Sequence, residues 1–152
     1  MLKNQQICFA ILISFLILVL FYLQDTYAAE AVPYTVEAYA KIKEAQKSYK
    51  PSRPAKDANP DEKLKAGIDM FRDVYRLAGF DFDMTIRQVA KDLKNGTLKT
   101  IPNGENVVTM IIVSLSYVKS HCEYEKVNCL SFFDSKTTEA VQWLWENTGF
   151  SP

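Results

Sequence analysis

The 152-residue chain contains a single histidine and three cysteines, and its 18 basic residues are balanced by 18 acidic ones. A net charge of zero produces no global field that would draw the chain to nucleic acid. The chain also lacks a phosphate-binding loop, a nucleophile elbow and a metal-binding helix motif. These absences argue against the common classes of enzyme and against nucleic-acid binding. We therefore predict a non-enzymatic protein with no catalytic residues, no metal and no cofactor.

The longest apolar run, residues 7–23, lies near the amino terminus and carries no charge. Its length falls between that of a signal-peptide core, about 7–15 residues, and that of a membrane-spanning helix, about 20. The small residues that a signal peptidase accepts follow in two arrangements, Thr26 with Ala28 and Ala29 with Ala31. We expect residues 1–31 to form a signal peptide. The alternative is an uncleaved N-terminal membrane anchor.

Both alternatives place the rest of the chain outside the cytoplasm, because Lys3 precedes the apolar run while Asp25, Glu30 and Glu37 follow it. We expect a periplasmic or extracellular protein, or one anchored in the inner membrane and facing outward. Contact with a membrane is expected only if residues 7–23 remain uncleaved.

The stretch SHCEYEKVNCLS contains Cys122, Cys129 and the single histidine, His121. A zinc site would need four ligands, and a catalytic thiol would need its neighbouring cysteine to stay reduced. In an oxidising compartment a disulfide between the two cysteines is the expected state, and closing its eight-residue loop should stabilise the fold by about 2.5 kcal/mol. Seven helical rises span about 10 Å, whereas a disulfide bridges at most about 7 Å between α-carbons. A helix that enters this stretch must therefore end between the cysteines.

Helical periodicity predicts an all-α fold of four to five helices, at residues 35–49, 60–78, 86–94, 107–118 and from Asp134 or Ser135 to Gly149. Asn59, Pro60 and Glu62 form a start signal for the second helix. Thr85 and Gln88 match a capping box, which predicts that the third helix begins at Ile86. The fourth segment is apolar and rich in β-branched residues, so a buried strand is its alternative.

We divide the exported part into two regions. Residues 32–58 combine an amphipathic helix with a proline-rich basic linker, and residues 59–152 form a compact helical domain. The first helix has a modest apolar stripe that suggests a detached or late-docking element, formed by Val36, Tyr39, Ala40 and Ile42.

Trp143 lies off the apolar stripe of the last helix, which makes it a candidate interface anchor. The basic residues Lys43, Lys47 and Lys50 are further interface candidates, although such runs are more often solvated helix faces. Asp81 and Asp83 could act as an acid–base pair in a small secreted hydrolase, but capping and turn roles are the more common use of such residues.

The segments KLKAGIDMFRDVYRLAG, MTIRQVAKDL and VVTMIIVSLSYVKSHC follow one another over about residues 64–122. Their order resembles that of the periplasmic immunity proteins that neutralise amidase toxins of type VI secretion. The resemblance implies a small, exported, disulfide-bonded helical protein that is often dimeric. It also implies that the protein blocks a toxin's active site by surface complementarity.

The sequence therefore predicts an exported, non-enzymatic binding protein, with an inhibitor or immunity protein as the narrower interpretation. Its partner should be another protein, and a homodimer is a further option. The first alternative is a membrane-anchored accessory component of a cell-envelope complex. The second is the small hydrolase that would use Asp81 and Asp83.

Overall fold

The structure is a computed structural model that describes residues 29–102 and 104–149. The predicted leader, apart from its last three residues, lies outside this part of the chain. The described residues form five α-helices, and a short 3-10 helix (Cys129–Phe132) joins the last two. The α-helices are α1 (Val36–Ser48), α2 (Pro60–Leu77), α3 (Phe82–Lys94), α4 (Val107–Glu125) and α5 (Ser135–Asn147). The prediction of an all-α fold with one disulfide is confirmed. None of the helices described is long and apolar enough to cross a membrane.

Helix α4 lies at the centre of the fold and confirms the prediction of a helix rather than a strand. The side chain of Asn106 caps its amino terminus by accepting a hydrogen bond from the amide of Thr109 at 2.9 Å. Helices α2, α3 and α5 pack around α4 and bury Ile111, Ile112 and Leu115. This packing removes much of the apolar surface of α4 from water, as a helix that is hydrophobic on most sides requires, although Val113 and Tyr117 stay exposed.

Helix α2 has the predicted boundaries. The side chain of Asn59 accepts from the amide of Glu62, and the carboxylate of Glu62 accepts from the amide of Asn59 in return. The helix ends just before Gly79, which adopts a φ of 86° that favours glycine. Its apolar face is buried as predicted at Leu64, Ile68, Val74 and Tyr75.

Helix α3 begins four residues earlier than its apparent capping box predicted. Asp81 is the N-cap, and its side chain accepts from the amide of Met84 at 2.7 Å. The additional turn brings Phe82 into the core, where its ring lies 5.0 Å from that of Tyr75. Thr85, the predicted cap, is instead fully buried within the helix. The predicted helix end at Asn95 and Gly96 is confirmed.

Helix α1 is docked on α2, which excludes the detached element among the two expected options and is compatible with a late-docking one. Its buried face consists of Ala38, Ile42 and Ala45, spaced four and three residues apart. The predicted stripe was wrong at Val36 and Ala40, which are exposed. Residues 50–58, the predicted linker, are irregular and almost entirely exposed.

The disulfide joins Cys122 to Cys129 across 5.9 Å between their α-carbons. Helix α4 ends at Glu125, and Lys126 takes a left-handed conformation with a φ of 57° that turns the chain back. The helix therefore ends between the two cysteines, as predicted. The bond holds the carboxyl end of α4 against the 3-10 helix.

Candidate functional site

A groove between α3 and α5, with a volume of about 460 Å³, places Trp143 beside several basic side chains. We call it the Trp143 groove. Its basic residues are Arg87, Lys91, Lys94 and Lys136. The single acidic residue among the described lining residues is Glu139. Of the four predicted interface residues, Trp143 is the one that lies in this groove.

Helical spacing builds both walls of the Trp143 groove. Arg87, Lys91 and Lys94 are separated by four and three residues, so they share one face of α3. Lys136 and Trp143 are seven residues apart and share a face of α5 in the same way. The sequence did not predict the groove, because no local pattern indicates that α3 and α5 are neighbours. The spacing of Arg87, Lys91 and Lys94 did indicate a basic face on α3.

The two helices run parallel, as contacts at both ends of the groove show. At the amino-terminal ends, Arg87 Nη1 lies 3.1 Å from Oδ2 of Asp134, the residue that caps α5. At the carboxyl ends, Lys94 Nζ lies over the ring of Trp143, 6.0 Å from its centroid. That geometry is a cation–π contact, which holds a positive charge against the half-buried indole.

The positive charges of the groove differ in their availability to a ligand. Arg87 is engaged by Asp134 and also donates to Oγ1 of Thr137 at 3.1 Å. In the part of the chain that the structure describes, Lys91, Lys94 and Lys136 form no ion pair. Three lysines without an ion pair to a described residue thus line the groove together with the indole, and Glu139 can offset one of their charges at most.

The other predicted interface residues lie on or just after α1 and do not line the Trp143 groove. Lys47 is within 3.6 Å of Glu44, and Lys50 is exposed beyond the end of the helix. Lys43 lines a second groove of about 470 Å³ that lies between α1, α2 and α4. The lysines of α1 and Trp143 therefore belong to different surfaces.

The second groove is mainly apolar, with Tyr39, Phe71 and Met110 among its lining residues. Among its lining residues, Tyr117 of α4 exposes 72% of its surface, although its neighbours Ser116 and Val118 are buried. Burial raises the pKa of Tyr39 above its ordinary value, and the nearby carboxylate of Glu105 adds to the effect. Lys43 and Glu105 are the charged residues among the described residues that line this groove, so its charges are fewer than those of the Trp143 groove.

The structure gives Asp81 and Asp83 separate structural roles. The carboxylate of Asp81 caps α3, while that of Asp83 accepts from Arg72 Nε at 3.0 Å. Burial raises the pKa of Asp83 above its ordinary value, and the pairing with Arg72 offsets part of that rise. No third acidic, cysteine or histidine side chain among the described residues joins them to form a metal-binding cluster.

Of the three interpretations of the stretch SHCEYEKVNCLS, a zinc site, a catalytic thiol and a disulfide, the structure has the disulfide. Both sulfur atoms are engaged in the bond, so neither is a thiolate that could bind zinc or be activated by a base. His121 lies next to Cys122 in sequence but is exposed on α4.

No protein-family model, curated protein sequence or solved structure matches this chain.

Proposed function

We propose that the protein is an exported, non-enzymatic binding protein that engages an acidic segment of a partner protein through the Trp143 groove. The observation that carries this proposal is that Lys91, Lys94 and Lys136 line one groove with a half-buried tryptophan and form no ion pair to any described residue. Tryptophan is among the residues most often found at the energetic centre of protein interfaces. Unpaired lysines around it favour a partner of opposite charge and speed its approach.

The dimensions of the groove limit what can occupy it. From Arg87 to Lys94, α3 rises about 10 Å, which corresponds to about three residues of an extended strand or two turns of a helix. Ala90 and Ala140 are small and buried, which leaves room above them for an apolar side chain of the partner. The expected ligand is therefore a short segment in which carboxylates flank one apolar residue.

Binding of this kind can inhibit a partner without any chemistry by the protein itself. A partner whose acidic segment borders an active site would be blocked when the groove covers that segment. The resemblance to immunity proteins supports this narrower function. A homodimer and an envelope anchor stay predictions of the sequence.

Fluorescence of Trp143 can test the proposal directly. In a Trp145→Phe background, Trp143 is the remaining indole of the chain. We expect a synthetic peptide with glutamates flanking a leucine to change its emission in a saturable manner, and added salt to weaken the effect. A matched peptide with glutamines should bind far more weakly. Because Trp145 Nε1 donates to the carbonyl of Leu115 at 3.0 Å, a melting curve must first show that the background variant is folded.

Charge-reversal variants distinguish binding at the Trp143 groove from non-specific attraction between the peptide and the net charge of the protein. Lys91→Glu with Lys136→Glu should weaken binding of the glutamate peptide at least about tenfold. Arg53→Glu with Lys56→Glu makes the same change in net charge on the exposed linker and should leave binding unchanged. An equal loss in both variants would refute a localised site. Binding of the glutamine peptide or of anionic lipid vesicles with the same affinity would refute an acidic protein segment as the ligand.

A further inference from the structure

Residues 30–34 form an extended segment that runs alongside α3, which we call the N-terminal strap. The carbonyl of Glu30 accepts from the amide of Asp81 at 2.9 Å. Further along, the amide of Val32 donates to Oγ1 of Thr85 at 3.0 Å, and the hydroxyl of Tyr34 donates to Oδ2 of Asp92 at 2.9 Å. The strap therefore contacts α3 at its N-cap, one turn further along and near its carboxyl end.

Besides forming hydrogen bonds to α3, the strap contributes Val32 to the hydrophobic core. Only 2% of the surface of Val32 is exposed, and Thr85, which accepts its amide hydrogen, is completely buried. Two residues earlier in the chain the environment changes, since Glu30 and Ala29 are exposed. The boundary between solvent and the packed domain thus falls between Glu30 and Val32.

Two pairs of small residues follow the apolar run, Thr26 with Ala28 and Ala29 with Ala31. The first pair would end the leader before this boundary, and the second would end it at the boundary. A cut after Ala31 would make Val32 the first residue. Its α-amino group, with an ordinary pKa of about 8, would be charged at neutral pH and would sit where the buried amide now donates to Thr85. Removing Glu30 would also leave the amide of Asp81 without the carbonyl that it uses. A buried charge and a lost hydrogen bond both disfavour the folded state.

We infer that the mature chain keeps residues 29–32, so that the leader is removed after Ala28. This inference rests on the export contained in the proposed function. Hydrolysis of the Ala28–Ala29 bond by a signal peptidase of the exporting cell would consume one water molecule, leaving a carboxylate on Ala28 and an ammonium group on Ala29. Because Ala29 is exposed, its new charge would stay in water. Thr26 and Ala28 would be the small residues that the peptidase recognises.

The intact mass of the protein recovered from the envelope or medium of a bacterial host that expresses the full chain tests the inference. We expect the mass of residues 29–152. A chain that begins at Val32 would overturn the inference while leaving export intact. An uncut chain in the cytoplasm would overturn both the inference and the export. An uncut chain in the membrane fraction would overturn cleavage and establish the anchor.

A matched pair of variants shows which residue the peptidase recognises. Ala28→Leu places a bulky side chain next to the inferred cleavage site and should abolish the product that begins at Ala29. Ala31→Leu should still yield a chain that begins at Ala29. The opposite pattern would place the cut after Ala31 and refute the inference. Because the readout is the mass of the chain, it does not depend on how well either variant folds.

Discussion

Nε and Nη2 of Arg72 both lie within hydrogen-bonding distance of the same oxygen of Asp83, Oδ2, at 3.0 and 2.9 Å. The second oxygen, Oδ1, is buried without a hydrogen-bond partner among the described residues. Arg72 also donates to the carbonyl of Phe132 at 2.9 Å and stacks over the ring of Phe133. One side chain thus connects α2 with α3 and with the segment that follows the disulfide.

Replacing Arg72 with methionine should lower the free energy of unfolding by about 3 kcal/mol, because it leaves the carboxylate of Asp83 buried without a counter-charge. The side chains of Arg72 and Asp83 are only 26% and 22% exposed, so solvent offers little compensation. Urea unfolding measures the loss. The double variant Arg72→Met with Asp83→Leu should lose less than Arg72→Met alone, because no buried charge remains. Equal losses in the two variants would contradict a buried ion pair.

Replacing Thr85 with valine should cost about 1–3 kcal/mol, because the buried amide of Val32 then loses its acceptor. Thr85→Ser keeps the hydroxyl and should lose clearly less. Thermal or urea unfolding of both variants checks the difference. A valine variant as stable as the serine variant would show that the hydrogen bond to the strap contributes nothing.

Thr85 also shows why the start of α3 could not be predicted. Locally, Thr85 and Gln88 have the spacing of a capping box. In the fold, Oγ1 of Thr85 accepts from Val32, which is 53 residues away in the sequence. An earlier N-cap at Asp81 lets Phe82 pack against Tyr75. Long-range packing therefore outweighed a local signal, whereas the cap at Asn59 had no such competitor and was predicted correctly.

The same limit applies to the candidate site. The position of Trp143 outside the buried core could be predicted, because the residue departs from the apolar period of its own helix. Its neighbours Lys91 and Lys94 could not be predicted, because they come from another helix whose packing against α5 is a property of the whole fold. The disulfide was predictable without any knowledge of the fold, because an oxidising compartment favours pairing of two cysteines that lie close in the sequence. Helix geometry then required α4 to end between them.

Removing the disulfide with Cys122→Ser and Cys129→Ser should reduce the free energy of unfolding by about 2.5 kcal/mol through the larger entropy of the unfolded chain. Urea unfolding measures this loss, and chemical reduction of the unmodified protein is the control that should lose a similar amount. The Trp143 groove contains neither cysteine, so the folded variant should still bind the glutamate peptide. Loss of peptide binding by a folded, serine-substituted protein would contradict the independence of the groove from the disulfide.

Asp134 predicts a specific dependence of stability on pH. The amide of Thr137 donates to its carboxylate at 2.9 Å and lowers the pKa of Asp134 below its ordinary value. A carboxyl group with a lowered pKa in the folded state stabilises the fold above its unfolded pKa of about 3.9, and this contribution disappears as the pH falls through the folded value. Asp134→Ala should therefore cost about 1 kcal/mol at pH 7, and the difference from the unmodified protein should shrink below about pH 4.

The N-cap of α2 supplies the control for this prediction. Asn59 accepts from the amide of Glu62 in the same capping role, but its side chain does not titrate. Asn59→Ala should cost a similar amount, and its difference from the unmodified protein should stay constant between pH 7 and pH 3. Urea unfolding of the three proteins across this range measures both differences. If the loss of stability caused by Asp134→Ala also stays constant between pH 7 and pH 3, the contribution of Asp134 does not depend on the charge of its carboxylate. Capping of α5 by a neutral side chain would then account for that contribution.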